Sequence, residues 1–400
     1  MKILGIHHIS AIVWHPQENI DFYASVLGLK LLKRTLNFDD SNVYHFYYGN
    51  DTGDIGTAIT YFPWKKHYKE GQIGASQVGI TTLMIPVGSF SFWQNRLTKF
   101  GIKYQVLSRF NETYMRFKDP HGVYLELIES DLGRPSKHEF NGVTSEVAIK
   151  GIYGAMLFST DIQKTTDFIV NTLGISVFKT EKNFTRFELS QEFGKYLDLF
   201  HLNMGESKDG AGTYHHIAFT VKSEEIDLWK EKIEKTGFNV TEVKDRLFFK
   251  SIYFREPGGI IIELATNQPG FEVDTTYQLK PDLFIPPHYR PLSDAILKNI
   301  IPVEIKEIDT LTHYPYQNEL EYKLWSDHQK LLKRINFLAR ESKVRDLTEV
   351  ELSEQKELRE IYIKSLRNTI QTSMESIKME NEDGEYELLK RKESKNNETA

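Results

Sequence analysis

The chain contains no cysteine, which excludes disulfides and thiolate metal sites; any bound metal must rest on nitrogen and oxygen ligands. No apolar run approaches the roughly 20 residues that cross a bilayer as a helix. Basic charge is not in excess. The 50 Lys and Arg stand against 56 Asp and Glu, a net charge of −6, which argues against a nucleic-acid or membrane partner for the whole chain. The opening Met-Lys-Ile-Leu-Gly-Ile-His-His lacks the apolar core of a signal peptide and passes directly into a strand pattern, so a cytoplasmic protein is expected. Proline is sparse and clustered: Pro281, Pro286, Pro287, Pro291 and Pro302 share one stretch, where helix and central strand are both disfavoured.

What the chain does have is length and repetition. Its 400 residues exceed one ordinary domain. Asp21-Phe22 followed by Leu27-Gly28-Leu29 recurs as Asp167-Phe168 followed by Leu173-Gly174-Ile175, an offset of 146. Trp93 with Gly101 recurs as Trp229 with Gly237, and Phe117-Lys118-Asp119-Pro120 through Glu126 recurs as Phe254-Arg255-Glu256-Pro257 through Glu263, offsets of 136 and 137. The halves therefore resemble each other, and each holds two units.

The first unit reads as strand 5–13, amphipathic helix 16–27, then strands 29–38, 43–48 and 57–62, a βαβββ order. Pro16 suits a first helical turn and Gly28 the position past a helix end. The other units run about 77–130, 151–202 and 213–266. The expected class is α+β: four βαβββ modules in two half-barrel pairs, followed by an α-helical hairpin. Residues 1–130 form the first pair of modules and 151–266 the second, with a linker at 131–150. A proline-containing wrapping segment spans 267–306 and a second linker 307–327. The hairpin spans 328–380, its second helix opened by the capping box Thr348-Glu349-Val350-Glu351, and 381–400 reads as a disordered charged tail.

Two histidine doublets carry the chemistry: His7-His8 in Gly-Ile-His-His-Ile-Ser, and His215-His216 in Tyr-His-His-Ile-Ala-Phe. Both sit on the first strand of a module. Neighbours on a strand face opposite ways, so one member of each pair can face the cup; His8 and His216 are chosen. Glu263, on the last strand of the fourth module, completes a set of two histidines and one carboxylate. The second and third modules have the framework without histidines, so their Glu126 reads as structural; the remaining histidines, His45 among them, read as structural or solvated. Three protein ligands leave about three open positions on an octahedral metal, whereas a structural zinc site wants a fourth protein ligand. Fe(II) is favoured, with Mn(II) next.

These motifs, with Pro-Gly-Gly-Ile-Ile-Ile-Glu, Lys33-Arg34-Thr35 and Phe62-Pro63, resemble the vicinal oxygen chelate superfamily (glyoxalase, bleomycin resistance, dioxygenase) over about 1–305. Within it the chain looks most like the dioxygenases that open hydroquinone rings. The resemblance implies that His8, His216 and Glu263 bind Fe(II), and that modules one and four pair. It implies catalytic parts for Tyr253, Arg246 and His7: Tyr253 on bound oxygen, Arg246 orienting Tyr253 or stabilising charge, and His7 as acid or base near neutral pH. Ser10 stands where the subgroup often has threonine. The implied partners are a small aromatic diol, hydroquinone-like or catecholic, and O2, with both oxygen atoms entering the product. Residues 328–384 resemble the two-helix YnzC-type proteins of unknown function, a hairpin suited to docking a protein partner or to self-association. The competing readings are a metal-dependent glyoxalase-type isomerase or thiol transferase, disfavoured because Thr60-Tyr61 offers no fourth ligand, and a non-enzymatic aromatic-binding resistance protein.

Overall fold

A computed structural model describes residues 1–64, 70–271, 280–312, 331, 334–375, 378–380 and 386–388. The chain divides into two compact units, Met1–Gln317 and Asn318–Ala400.

The first unit holds the four modules. Module one comprises β1 (Ile6–Val13), α1 (Pro16–Ile20), β2 (Lys30–Leu36), β3 (Tyr44–Gly49) and β4 (Ala58–Pro63). Module two comprises β5 (Gln77–Ile85), α2 (Phe90–Lys99), β6 (Tyr104–Arg109), β7 (Glu112–Lys118) and β8 (Tyr124–Glu129). Module three comprises β9 (Gly151–Phe158), α3 (Ile162–Asp167), β10 (Ser176–Glu181), β11 (Phe184–Glu188) and β12 (Tyr196–Phe200). Module four comprises β13 (Thr213–Val221), α4 (Ile226–Glu234), β14 (Lys244–Asp245), β15 (Phe249–Arg255) and β16 (Ile261–Pro269). The expected helix 16–27 is split: α1 continues as a wider π-type turn over Asp21–Val26, and α3 does the same over Phe168–Thr172. Gly28 then reverses the chain at φ +66°, with the Val143 side chain so close that a Cβ would lie 2.7 Å from it.

Pairing between modules is the fold's main decision. One nine-stranded sheet runs β14-β15-β16-β13-β1-β4-β3-β2 and then an edge strand; the other, eight-stranded, runs β10-β11-β12-β9-β5-β8-β7-β6. Modules one and four thus share a sheet, and modules two and three share the other. Each sheet is joined at its centre by antiparallel first strands, β1 with β13 and β5 with β9. The repeat tryptophans Trp93 and Trp229 lie fully buried beneath their helices.

Residues 131–150 are pinned rather than free: Arg134 pairs with Asp51 and Asp54, and Asn141 bonds Ser25 and Ile308. The proline-containing segment corrects the expectation of purely extended chain. It supplies edge strand β17 (Lys280–Phe284), parallel to β2, and the short helix α5 (Ser293–Asn299). Proline is tolerated because β17 sits at the sheet edge with an irregular register after Lys280. The segment does wrap: Ile301 and Lys306 carbonyls accept from Tyr44 and Ser25, and Glu304 exchanges bonds with Gln17.

In the second unit, helix α6 covers 334–341 and α7 spans Glu349–Glu375. Arg334 makes a two-pronged bond to Glu354 between them, at 2.8 and 2.7 Å. The capping box forms, with Thr348 and Glu351 exchanging bonds. Within the expected disordered tail, Tyr386–Leu388 instead pairs with Lys378–Glu380 as a short ladder; the rest of 381–400 lies outside the described residues, as does most of the linker 307–327. Among the described residues, no helix is long and apolar enough to cross a membrane.

Candidate metal centre

The antiparallel join of β1 and β13 places Ser10 opposite His216 and His8 opposite Ala218, and Ala218 in turn neighbours Glu263 on β16. This register brings three side chains to one point, His8 from more than 200 positions before the other two. His216 Nε2 lies 2.9 Å from Glu263 Oε2, His8 Nε2 3.2 Å from the same oxygen, and the two Nε2 atoms are 3.3 Å apart. Among the described residues this is the one His and carboxylate cluster close enough to hold a metal ion. A cation about 2.1 Å from each atom, with right-angle bonds, sets ligand atoms about 3.0 Å apart, against about 3.4 Å for a tetrahedral ion. The observed edges, 2.9, 3.2 and 3.3 Å, span these two values.

All three residues are buried. Glu263 Oε2 makes no aligned hydrogen bond despite its short contacts, as expected of atoms that converge on a shared cation rather than on one another. Burial alone would raise the Glu263 carboxyl, but His8 and His216 outweigh it and hold it well below the usual range. Burial also lowers His216, with Glu263 opposing.

In each doublet the two Nδ1 atoms meet. His8 Nδ1 is 2.9 Å from His7 Nδ1, and His216 Nδ1 is 2.7 Å from His215 Nδ1. A histidine that gives Nε2 to a metal carries its proton on Nδ1, and the neighbour's bare Nδ1 accepts it, fixing tautomer and ring angle. His7 therefore departs from its expected part as acid or base. It is packed against Phe249 and Phe271, off the cavity, and burial with neighbouring His8 pushes it down to about 3. His215, which the sequence left without a part, is exposed to the cavity that lies over the site.

That cavity, about 370 Å³, is walled by aromatic side chains including Tyr47, Phe62, Phe249 and Tyr253, with Asp39, Lys244 and Arg246 at the rim. Tyr253 does not aim its hydroxyl at open space: it donates to Glu263 Oε1 at 2.8 Å, fixing the carboxylate. Arg246 stacks between Phe38 and Tyr253 and bonds Asp39 at 3.1 Å, so it holds Tyr253 and the 37–40 loop together. His45 and Tyr47, which line the cavity, and Thr60, bonded to His45, were missed as site residues. Positions 45 and 47 share a strand face, which was a usable signal.

Residues 5–127 and 151–264 match the Glyoxalase/Bleomycin resistance protein/Dioxygenase superfamily, and residues 330–386 match a bacterial family of unknown function, DUF896. The chain is 44% identical over 310 residues to MhqO of Bacillus subtilis (strain 168), which is named as a ring-cleaving dioxygenase; the match covers 77% of this chain and 99% of that one. It is 28% identical to the chlorohydroquinone/hydroquinone 1,2-dioxygenase of Sphingobium indicum, over 75% of this chain and 96% of that one. A crystal structure titled as a dioxygenase from Bacillus subtilis superimposes with a TM-score of 0.74 at 44% identity, covering 77% of this chain and 99% of that one. The tail is 48% identical over 56 residues to a UPF0291 protein of Lachnospira eligens, 14% of this chain and 67% of that one.

Proposed function

The chain belongs to the Glyoxalase/Bleomycin resistance protein/Dioxygenase superfamily and is a ring-cleaving dioxygenase, and we propose that it uses Fe(II), held by His8, His216 and Glu263, to open a hydroquinone-like ring in the cytoplasm. The observation that carries the metal assignment is the trio of Nε2, Nε2 and Oε2 atoms within 2.9–3.3 Å of one another at the floor of an aromatic cavity. The reaction joins both atoms of O2 to the ring carbon that bears a hydroxyl and to its neighbour, breaking the bond between them. Its biological use would be removal of quinone-forming aromatics.

The metal would supply a Lewis acid that makes the ring hydroxyl easier to ionise, together with an open flank for O2. The protein's own residues do the rest. Tyr253 holds Glu263 in one orientation, and Arg246 holds Tyr253. His7 and His215 hold the two ligating rings. The aromatic walls accept a single ring and exclude bulk water, which strengthens every charge interaction at the floor. The fourth position of the cup holds Thr60, bonded to Ser10 and His45, so the three-ligand set leaves room for substrate.

Anaerobic loading with Fe(II), followed by O2 uptake on methylhydroquinone and on catechol, tests the proposal. Consumption of one O2 per methylhydroquinone, with a ring-opened acid as product, supports it. No uptake with either diol at full iron occupancy would sink it.

A further inference from the structure

The sheet of modules one and four has an internal two-fold relation, visible in its register. Ser10 faces His216 as Ala218 faces His8; Thr60 lies beside Ser10 as Glu263 lies beside Ala218. On the next strands Tyr47 faces Thr60 as Tyr253 faces Glu263. Thr60 therefore stands in the place of a second carboxylate, and Tyr47 in the place of Tyr253. Threonine is shorter than glutamate, and the room is taken by His45. Its Nε2 lies 2.9 Å from Thr60 Oγ1, and its Nδ1 lies 2.9 Å from the Tyr47 hydroxyl. Thr60 Oγ1 is 2.7 Å from Ser10 Oγ, which is 2.9 Å from His216 Nε2. Five polar side chains thus form one buried file ending at the metal-facing nitrogen.

Counting donors gives the file a direction. His45 is the one partner of the Tyr47 hydroxyl among the described residues, so Tyr47 donates its single proton to His45 Nδ1 rather than leaving it unused. Neutral His45 then carries its proton on Nε2 and donates to Thr60. Thr60 donates to Ser10, and the Ser10 hydroxyl is left to donate at the floor. Burial keeps His45 far below its ordinary range, so it stays neutral and the direction is kept. Without metal, the acceptor for Ser10 is the lone pair of His216 Nε2. A metal held by His216 Nε2 would take that lone pair, leaving the Ser10 hydroxyl free to donate to a ring oxygen beside it.

We propose that His45, through Thr60, is a positioning residue that aims the Ser10 hydroxyl at the substrate's ring oxygen, and that Tyr47 fixes the tautomer that makes this possible. The inference rests on the metal reading above. It explains why the fourth ligand position holds a neutral pair: a second carboxylate there would take a further coordination position and add negative charge, whereas a directed donor stabilises negative charge that forms on the ring oxygen.

The test loads the full chain with Mn(II) without O2, then measures metal content and methylhydroquinone binding by calorimetry. Thr60→Val keeps shape but cuts the file, Ser10→Ala removes its end, His45→Phe its centre, and Tyr47→Phe a single oxygen. We expect one Mn(II) per chain throughout. Diol binding should weaken about 5–10-fold for each of Thr60→Val, Ser10→Ala and His45→Phe, and about 2–5-fold for Tyr47→Phe. The Thr60→Val, Ser10→Ala pair should be no weaker than either alone, because one cut breaks the whole file, and Thr60→Ser should restore binding. Free of substrate, Ser10→Ala should bind Mn(II) several-fold more tightly, since the His216 lone pair no longer has a competing donor. Additive losses, or normal diol binding by Thr60→Val and Tyr47→Phe, overturn the proposal. Wild-type protein that holds no Mn(II) overturns the metal reading, and this one with it.

Discussion

In the sheet shared by modules one and four, the buried Glu263 faces His8 and His216; in the sheet shared by modules two and three, the equivalent carboxylates face arginines. The registers align the two cups position by position. Gly154 and Ile80 stand where His8 and His216 stand, Glu126 where Glu263 stands, and Asp198 where Thr60 stands. Arg116 and Arg186 take the places of Tyr253 and Tyr47. Arg109 then lies between the two carboxylates, bonding Glu126 at 2.8 and 3.1 Å and Asp198 at 2.9 Å. Burial would raise Glu126, but Arg109 and Arg116 outweigh it and lower it. The second cup thus carries its own cations and its carboxylates are satisfied. In the first cup the carboxylate meets only imidazoles and one tyrosine, and its Oε2 is left without an aligned donor. A buried carboxylate needs a cation. One cup builds the cation into the chain; the other leaves the place for a metal.

The largest effect expected on this contrast is loss of a metal ligand. Glu263→Gln or His216→Ala should abolish stoichiometric iron and lower turnover at least about a thousand-fold, as removal of an essential catalytic group does. Purified variants assayed for iron and O2 uptake check this. In the second cup the same logic strikes stability instead. Arg109→Ala removes the arginine shared by Glu126 and Asp198, leaving Arg116 on the first and Arg186 on the second, and should cost about 1.5–3 kcal/mol of unfolding free energy, read by denaturant titration, while iron content per folded chain stays unchanged.

A smaller effect is expected from the holders. His7→Phe removes the acceptor for His8 Nδ1 and should weaken iron binding about 10–100-fold without changing its stoichiometry at saturation. Smaller still is a pH effect confined to the histidine cup. His7, buried, is pushed from 6.5 to about 3, chiefly by that burial. A folded value below the unfolded one gives stability that is full above 6.5 and lost as pH falls toward 3. It contributes a slope of up to about 1.4 kcal/mol per pH unit. Glu263, also lowered, acts in the same direction at more acid pH. Asp119, raised to about 7, opposes them, since its contribution is lost as pH rises through that value. Metal-free protein should therefore melt at progressively lower temperature below about pH 6.5. A flat melting profile from pH 7 to 5 would contradict the neutral, buried state of His7.

Much of this was legible in the amino-acid order. The repeats marked the four modules, strand alternation allowed one member of each doublet to face the cup, and the motif resemblance pointed to His8 and His216, the pair whose Nε2 atoms converge. Glu263 followed from its alignment with Glu126. What could not be read depends on which modules share a sheet. The Arg109 network joins residues of modules two and three, and the Thr60, His45 and Tyr47 file gains meaning only once β1 lies against β13. Strand β17 was hidden because its proline argues against a strand everywhere except at an edge. His7 and Tyr253 were placed near the chemistry, but the atoms they meet, His8 Nδ1 and Glu263 Oε1, were beyond reach without coordinates.

Anaerobic Fe(II) titration of the wild type beside His216→Ala and His215→Ala tests the central claim, that one member of each doublet is a ligand and the other its holder. Wild type and His215→Ala should each saturate at one Fe(II) per chain, the latter with weaker affinity, and His216→Ala should bind none. Stoichiometric iron in His216→Ala would contradict it.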